Sequence, residues 1–254
     1  MFAGRPRLAT VLIPTVTLFA LLGLWQLADS LFQFNRIILP SPAEIGAAFI
    51  ANYLVLFKET GITLIESVAG FLLGGIAAYL LAIAFVHSRT AQQAIYPYAV
   101  ALKSTPLIAI APLLVLWFGN GMLSKVVMSA LVAFFPILVN AVSGLSAVDR
   151  EAIDLMKSLS ASRWQVLTRI RVPNSLPYLF ASLKIASSMA VVGAVIGEFT
   201  GSTEGIGHLI TSSSYYLETP LMFAAIVMIS VAGILFFWLM VYLERKVVFW
   251  QEPV

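Results

Sequence analysis

Six stretches of the chain are apolar almost without interruption, at about 8–28, 60–86, 93–118, 123–146, 177–199 and 220–243. Each comes near or exceeds the roughly 20 residues that a helix needs to cross a hydrocarbon layer. The polar interruptions between them differ in kind. Those at His87–Gln92 and Gly119–Ser124 are short, which predicts helices packed in one bundle, with Gly119-Asn120-Gly121 as a tight turn. The segment Asp29–Lys58 contains Leu39-Pro40-Ser41-Pro42, through which no helix continues, and then an amphipathic stretch from Ala43 to Phe57. Ser41 is placed to cap that helix, with Pro42 in its first position and Glu44 three residues past the cap. It is expected to lie along the outer membrane surface.

The longest interruption, Asp149–Pro177, reads DREAIDLMKSLSASRWQVLTRIRVPNSLP. Within it, Asp154–Arg169 is rich in helix formers. Leu155, Leu159, Val166, Leu167 and Ile170 are spaced to give an apolar side, so an amphipathic helix is expected. Such a helix lies on anionic lipid, covers the underside of its own bundle, or docks into a partner's groove.

Composition agrees with the pattern. Of 254 residues, 60% are apolar and 11% charged, and the mean hydropathy is +0.96. Soluble domains carry about a quarter charged residues. The chain reads as an all-α integral membrane protein of six transmembrane helices. A net charge of +3 is a topology signal here, not a nucleic-acid footprint. With both termini inside, the inner segments hold Arg5, Arg7, Arg89, Arg150, Lys157, Arg163, Arg169, Arg171, Arg245 and Lys246, against Arg36, Lys58 and Lys125 outside. Lysine and arginine bias sets orientation, so both termini are expected in the cytoplasm. The first apolar run exceeds a signal peptide's usual ~7–15 residues and reads as an uncleaved anchor. Residues 1–58 then form an anchor with its outer amphipathic segment, and 59–254 a core of five spans with the cytoplasmic helix at about 150–172.

Prolines at 97, 106, 112 and 136 lie inside apolar runs and predict kinks or breaks, while Gly70, Gly74, Gly75, Gly193 and Gly197 suit close helix approach. Ionisable groups inside spans are costly and point to function. Lys103, followed by Ser104, Thr105 and Pro106, suits a pathway that attracts an anion; pairing with Glu66 is the plainer reading. Glu66 and Glu198 raise the same question, Glu198 as part of an outer gate, a docking surface or a water boundary before the loop Thr200–Gly207. No metal site is expected: there is no cysteine, and His87 and His208 stand far apart. The chain has no G-x-S-x-G or H-E-x-x-H run, and no G-x-x-x-x-G-K-[ST] run to cradle nucleotide phosphates. An enzyme is not indicated, whereas a gradient-driven secondary transporter or channel fits six kinked spans.

Asp154-Leu155-Met156, Ser160, Ile170 and Val172-Pro173 fall at the spacing of the coupling loop of ABC-importer permeases, Glu-Ala-Ala, three residues, Gly, nine residues, Ile, one residue, Leu-Pro. Ile170 and Pro173 match by identity, and Leu155, Met156 and Ser160 stand where small residues are expected. Ser160–Gln165, Leu176-Pro177-Tyr178, Thr105–Leu114, Trp117–Gly121 and Phe134–Asn140 resemble the flanks of the nitrate, taurine and sulfonate branch, so that about residues 60–245 are covered. The resemblance implies a type I importer permease bundle in the plasma (inner) membrane. It implies a second, identical permease chain, two ATPase subunits that carry ATP and magnesium, an extracytoplasmic solute-binding protein, and no cofactor or nucleic acid on this chain. Asp154, Ser160, Ala161, Ser162, Arg163, Trp164, Ile170 and Pro173 would make the ATPase coupling. Lys103, Ser104, Thr105, Glu66, Asn140 and Glu198 would line the path of a small solute, whether nitrate, a sulfonate such as taurine, or a small heterocycle.

Overall fold

The computed structural model describes residues 7–250, the side chains of residues 7–11, 89, 99–100 and 102–104 lying outside that description. The described residues contain helices and connections and no strand. Two compact units divide the chain, Met1–Phe57 with Leu209–Val227, and Lys58–His208 with Met228–Val254.

In the first unit, α1 (Arg7–Phe32) is followed by α2 (Pro42–Ala51). The cap expected at Ser41 is present: Ser41 Oγ accepts from the Glu44 N–H at 3.3 Å, and Glu44 Oε2 accepts from the Ser41 N–H at 3.0 Å. Arg36 holds the same glutamate at 2.6 Å. The amphipathic stretch does not run on to Phe57. It stops at Asn52, whose side-chain amide donates to the Ala48 carbonyl (3.0 Å), and Tyr53–Phe57 open the next helix. Trp25 packs on Phe223, and Thr219 donates to the Ile37 carbonyl at 2.7 Å.

The second unit is built on α3 (Tyr53–His87), α4 (Arg89–Ser104), α5 (Leu107–Phe118), α6 (Met122–Ser146), α7 (Arg150–Ser158), the short α8 (Arg163–Val166), α9 (Val172–Phe199), the start of α10 (Ile206–Tyr215) and the end of α11 (Thr219–Val247). The span expected over 93–118 is two helices. Pro106 has no N–H to continue the ladder and disfavours helical backbone at Thr105, so α4 ends at Ser104 and α5 starts afresh at Leu107. Among the described residues, five helical segments are long and apolar enough to cross a membrane: Leu12–Phe32, Tyr53–His87, Met122–Ser146, Arg163–Phe199 and Thr219–Val247. The fifth expected span thus begins well before Pro177, inside the polar interruption.

Helices α6 and α9 pack antiparallel with backbones nearly touching, because α9 turns a face of Ser182, Ala186, Ala190, Gly193 and Gly197 toward its neighbour. A Cβ on Gly193 would sit 2.8 Å from Ser129 Cα, one on Gly197 3.1 Å from Lys125 Cα, and one on Gly144 3.0 Å from Ser175 Cα. Helix α3 joins them through Gly70 and Gly74, which leave no room for a side chain against Ser129 and Ala130. In lipid, where burying apolar surface drives little association, such backbone approach is what packing relies on. Ser129 Oγ at the centre donates to the Ala190 carbonyl at 2.9 Å, with the Ser67 carbonyl 3.3 Å away.

Candidate functional site

At one end of the bundle, the helix expected over Asp154–Arg169 is interrupted. Helix α7 closes in a Schellman turn: the Ser160 N–H donates to the Lys157 carbonyl and the Ala161 N–H to the Met156 carbonyl, each at 2.9 Å, while Ser160 takes a left-handed φ of 58°. A new helix then starts. Ser162 Oγ accepts from the Gln165 N–H (3.3 Å), and Gln165 returns a bond to the Ser162 N–H (2.7 Å), a second capping box. This break divides the apolar side in two. Val166 and Leu167 are buried, but Leu155 (62% exposed), Leu159 (69%) and Trp164 (68%) stand outside the chain's own core around the turn. Asp154 pairs with Lys157 at 2.8 Å, one turn along α7.

From α8 the chain winds through a π-helical segment, Leu167–Arg171, where the Val172 N–H reaches back five residues to the Leu167 carbonyl. Pro173 explains it. Its ring crowds the carbonyl of Arg169 and supplies no N–H to it, so the turn loosens instead of breaking. Arg171 then donates to the Leu145 carbonyl (2.7 Å) and Asn174 to the Gly144 carbonyl (3.2 Å), satisfying the free carbonyls at the end of α6. Ile170 and Pro173 are half-buried at this joint.

At the other end, about 30 Å away along α6 at 1.5 Å per residue, lies a buried polar cluster. Glu198 (1% exposed), Glu66 (3%) and Lys125 (1%) come from α9, α3 and α6. Glu198 accepts from Thr63 Oγ1 at 2.6 Å and from the Gly207 N–H at 2.5 Å. Thr63 in turn accepts from the Ile206 N–H at 2.9 Å, and Glu59 from the Gly205 N–H at 2.6 Å. Three successive N–H groups at the start of α10 are therefore held by side chains of α3 and α9. Glycine at 205 and 207 is required: Gly205 has φ 96°, and side chains at either position would run into the Glu198 carboxylate. The Lys125 ammonium donates to the Asn120 and Gly121 carbonyls, and its charge acts through space on both Glu66 and Glu198. Glu66 lies in the field of both charged neighbours, and its Oε2 is buried without a hydrogen-bond partner.

Of the three readings of Glu198, a boundary with water does not fit its burial in this chain or these bonds. Glu66 stands with Glu198 and Lys125. The side chains of Lys103 and Ser104, proposed partners of a pathway, lie outside the described residues. Thr105 is exposed and donates to the Ala101 carbonyl; Asn140 donates to the Pro136 carbonyl within its own helix. Neither joins the cluster. Lys125 was counted among outer-surface charges, yet it is the buried cation of the site. Its place four residues after a Gly-Asn-Gly turn and inside an apolar run was the available signal. Lys184 on α9, paired with Glu244 on α11 at 2.8 Å, was also missed, although it too lies inside an apolar run.

Residues 70–249 match the family model described as the binding-protein-dependent transport system inner membrane component. The chain belongs to this family. It is 36% identical over 228 residues to a probable ABC transporter permease protein of Haemophilus influenzae, covering 89% of this chain and 93% of that one. It is 37% identical over 238 residues to the riboflavin transport system permease protein RibX of Chloroflexus aurantiacus (93% and 89%). Over 240 residues it is 33% identical to the formylaminopyrimidine transport permease protein ThiX of Halalkalibacterium halodurans (94% and 96%). In fold it resembles the inward-facing MetNI methionine ABC transporter, with a TM-score of 0.67 at 16% identity, covering 77% of this chain and 97% of that one. The protein is thus a multi-pass inner-membrane permease subunit of an ABC importer, and the ATPase of such a system is a separate subunit. A gradient-driven transporter working alone is not favoured.

Proposed function

We propose that this permease works as one of two identical chains, driven by two ATPase subunits that engage the turn at Ser160. In this reading α4 and α5 together make a broken third crossing, which brings the count to six and leaves both termini in the cytoplasm with the basic residues of α7 and α8. The observation that carries it is the exposed trio Leu155, Leu159 and Trp164 around a fixed turn. Large apolar side chains left outside the core beside a rigid turn suit a protein groove. Ser160, Ala161 and Ser162 allow close approach, Arg163 meets a carboxylate of the ATPase, and Asp154, Ile170 and Pro173 hold the shape. ATP and magnesium go to that partner.

The cargo is a small heterocycle delivered by an extracytoplasmic binding protein. Relatives named for riboflavin and formylaminopyrimidine transport are 37% and 33% identical, against 29% and 28% for those named for aliphatic sulfonates and taurine. Thr105 and Asn140 are kept as path residues together with Lys103 and Ser104, while Glu66 and Glu198 hold the opposite gate closed.

The test is an Ala161→Trp variant purified with its ATPase and reconstituted with the binding protein. Uptake of labelled pyrimidine should fall to background and basal ATP hydrolysis should lose its dependence on the loaded binding protein, with the thermal midpoint unchanged. Normal coupling in that variant rejects the docking role. Normal uptake of taurine but not of a pyrimidine or flavin by the parent rejects the cargo.

A further inference from the structure

A cavity of about 320 Å³ opens between the last turn of α3, helix α7 and the α8 to π-helical segment. Its lining divides into an apolar part, Val86, Ile153, Ala161 and Val166, and a basic part, His87, Lys157, Arg163 and Arg171. No carboxylate is among these lining residues. Asp154 engages Lys157 from outside the cavity and occupies one of three ammonium donors. Arg171 gives one guanidinium N–H to the Leu145 carbonyl and has four others. His87 binds the Ile83 carbonyl through Nδ1, which leaves Nε2. The basic groups come from three different elements and converge on one concave space, at the level where the apolar run of α3 ends.

We infer that this cavity binds the phosphate of an anionic phospholipid headgroup. The two unesterified oxygens of the singly charged phosphodiester match the forked guanidinium donors. The apolar wall beside them accommodates the glycerol and first acyl carbons, as a free inorganic anion has no use for such a wall. Basic pockets at the ends of spanning helices are where anionic headgroups bind, each lysine or arginine near the surface contributing about a fivefold gain in affinity. The inference goes beyond the coupling role of the Ser160 turn but shares Ala161 and Arg163 with it, so the lipid is expected to lean on His87, Lys157 and Arg171 when the turn is docked. A lipid in this place would brace α7 against α3 from within the membrane.

The experiment is native mass spectrometry of the full-length permease, alone and with its ATPase. The protein is incubated with phosphatidylglycerol or with phosphatidylcholine of the same acyl chains. Phosphatidylglycerol should be retained preferentially in both preparations. Lys157→Gln should weaken its retention about fivefold, His87→Gln should weaken it less, and Lys157→Arg should preserve it. Equal retention of the two lipids, or an unchanged preference in Lys157→Gln, overturns the assignment. Displacement by millimolar inorganic phosphate would assign the cavity to a soluble anion, and release on ATPase binding would assign it to an acidic side chain of the ATPase; either outcome also overturns it. Circular dichroism of each variant identifies any that fails to fold, in which case the Lys157→Arg and His87→Gln pair decides.

Discussion

The two ends of the α6 and α9 pair are built on opposite plans. Around Glu198 the polar groups are buried, their donors and acceptors come from four elements, and glycine is required wherever the backbone meets the carboxylate. Around Ser160 the chain closes its hydrogen bonds locally, by one Schellman turn and one capping box, and leaves Leu155, Leu159 and Trp164 outside. The first end is committed to its own interior, whereas the second leaves large apolar side chains outside it. Stability and coupling should therefore separate by position.

The largest effect is expected at the clasp. Glu198→Ala removes the side-chain acceptor of the Gly207 N–H, one acceptor of Thr63 Oγ1 and one of the two acids acting on Lys125, and removing one member of a buried charged network costs about 3–5 kcal/mol. The thermal midpoint of the purified complex should drop steeply, and the variant should accumulate poorly in the membrane. A midpoint within a degree of the parent would erase the distinction between the two ends.

A middle effect is expected between them. Gly193→Ala places a methyl group 2.8 Å from Ser129 Cα, where the neighbour is backbone and cannot swing away. Overpacking of this kind costs about 1–3 kcal/mol, readable in denaturant or thermal unfolding, with ATPase coupling retained per folded complex. An equal cost for Gly23→Ala, where nothing lies within 4 Å, would show that the close approach of α6 and α9 is not the cause.

The smallest effect, of opposite sign, is expected at the turn. A left-handed residue with a side chain costs about 1–2 kcal/mol. Glycine removes that strain but adds roughly 0.5–1 kcal/mol of backbone entropy lost on folding. Ser160→Gly should therefore stabilise by at most about 1.5 kcal/mol and leave uptake intact, whereas Ser160→Val should destabilise. A destabilising glycine would mean that the serine hydroxyl, not the backbone angle, holds the turn.

Sequence made the apolar spans legible because burial in lipid needs long uninterrupted runs, and it made the Ser41 cap legible because a capping box is local. Ile170 and Pro173 were singled out through the family's coupling-loop pattern, and in the structure they are half-buried beside the π-helical segment. The second box at Ser162 and Gln165 has the same local form, but it was hidden by helix formers on both sides that suggested one continuous helix. The clasp was not legible. Thr63 and Glu198 are 135 residues apart and Gly205 and Glu59 146 apart, so nothing near either residue declares the other. Lys125 was misplaced for a related reason: a lysine next to a glycine turn looks like surface until the acids that surround it are known. The break in the run expected to span at 93–118 was half legible, since Pro106 marks a break without telling whether the helix bends or ends.

The π-helical segment before Pro173 gives the turn a mechanical property that its own residues do not have. A π turn holds one residue more than an α turn, so the stretch from Arg163 to Phe199 contains a spare residue near its start. Passing that residue one place along the chain exchanges one backbone hydrogen bond for another and turns only the residue passed, by about 100°, onto a different face. Arg163 and Trp164 themselves change face only when the spare residue leaves through the start of α8. What the segment stores is therefore a choice of side-chain register for the few residues ahead of Pro173, while the long helix beyond it keeps its own.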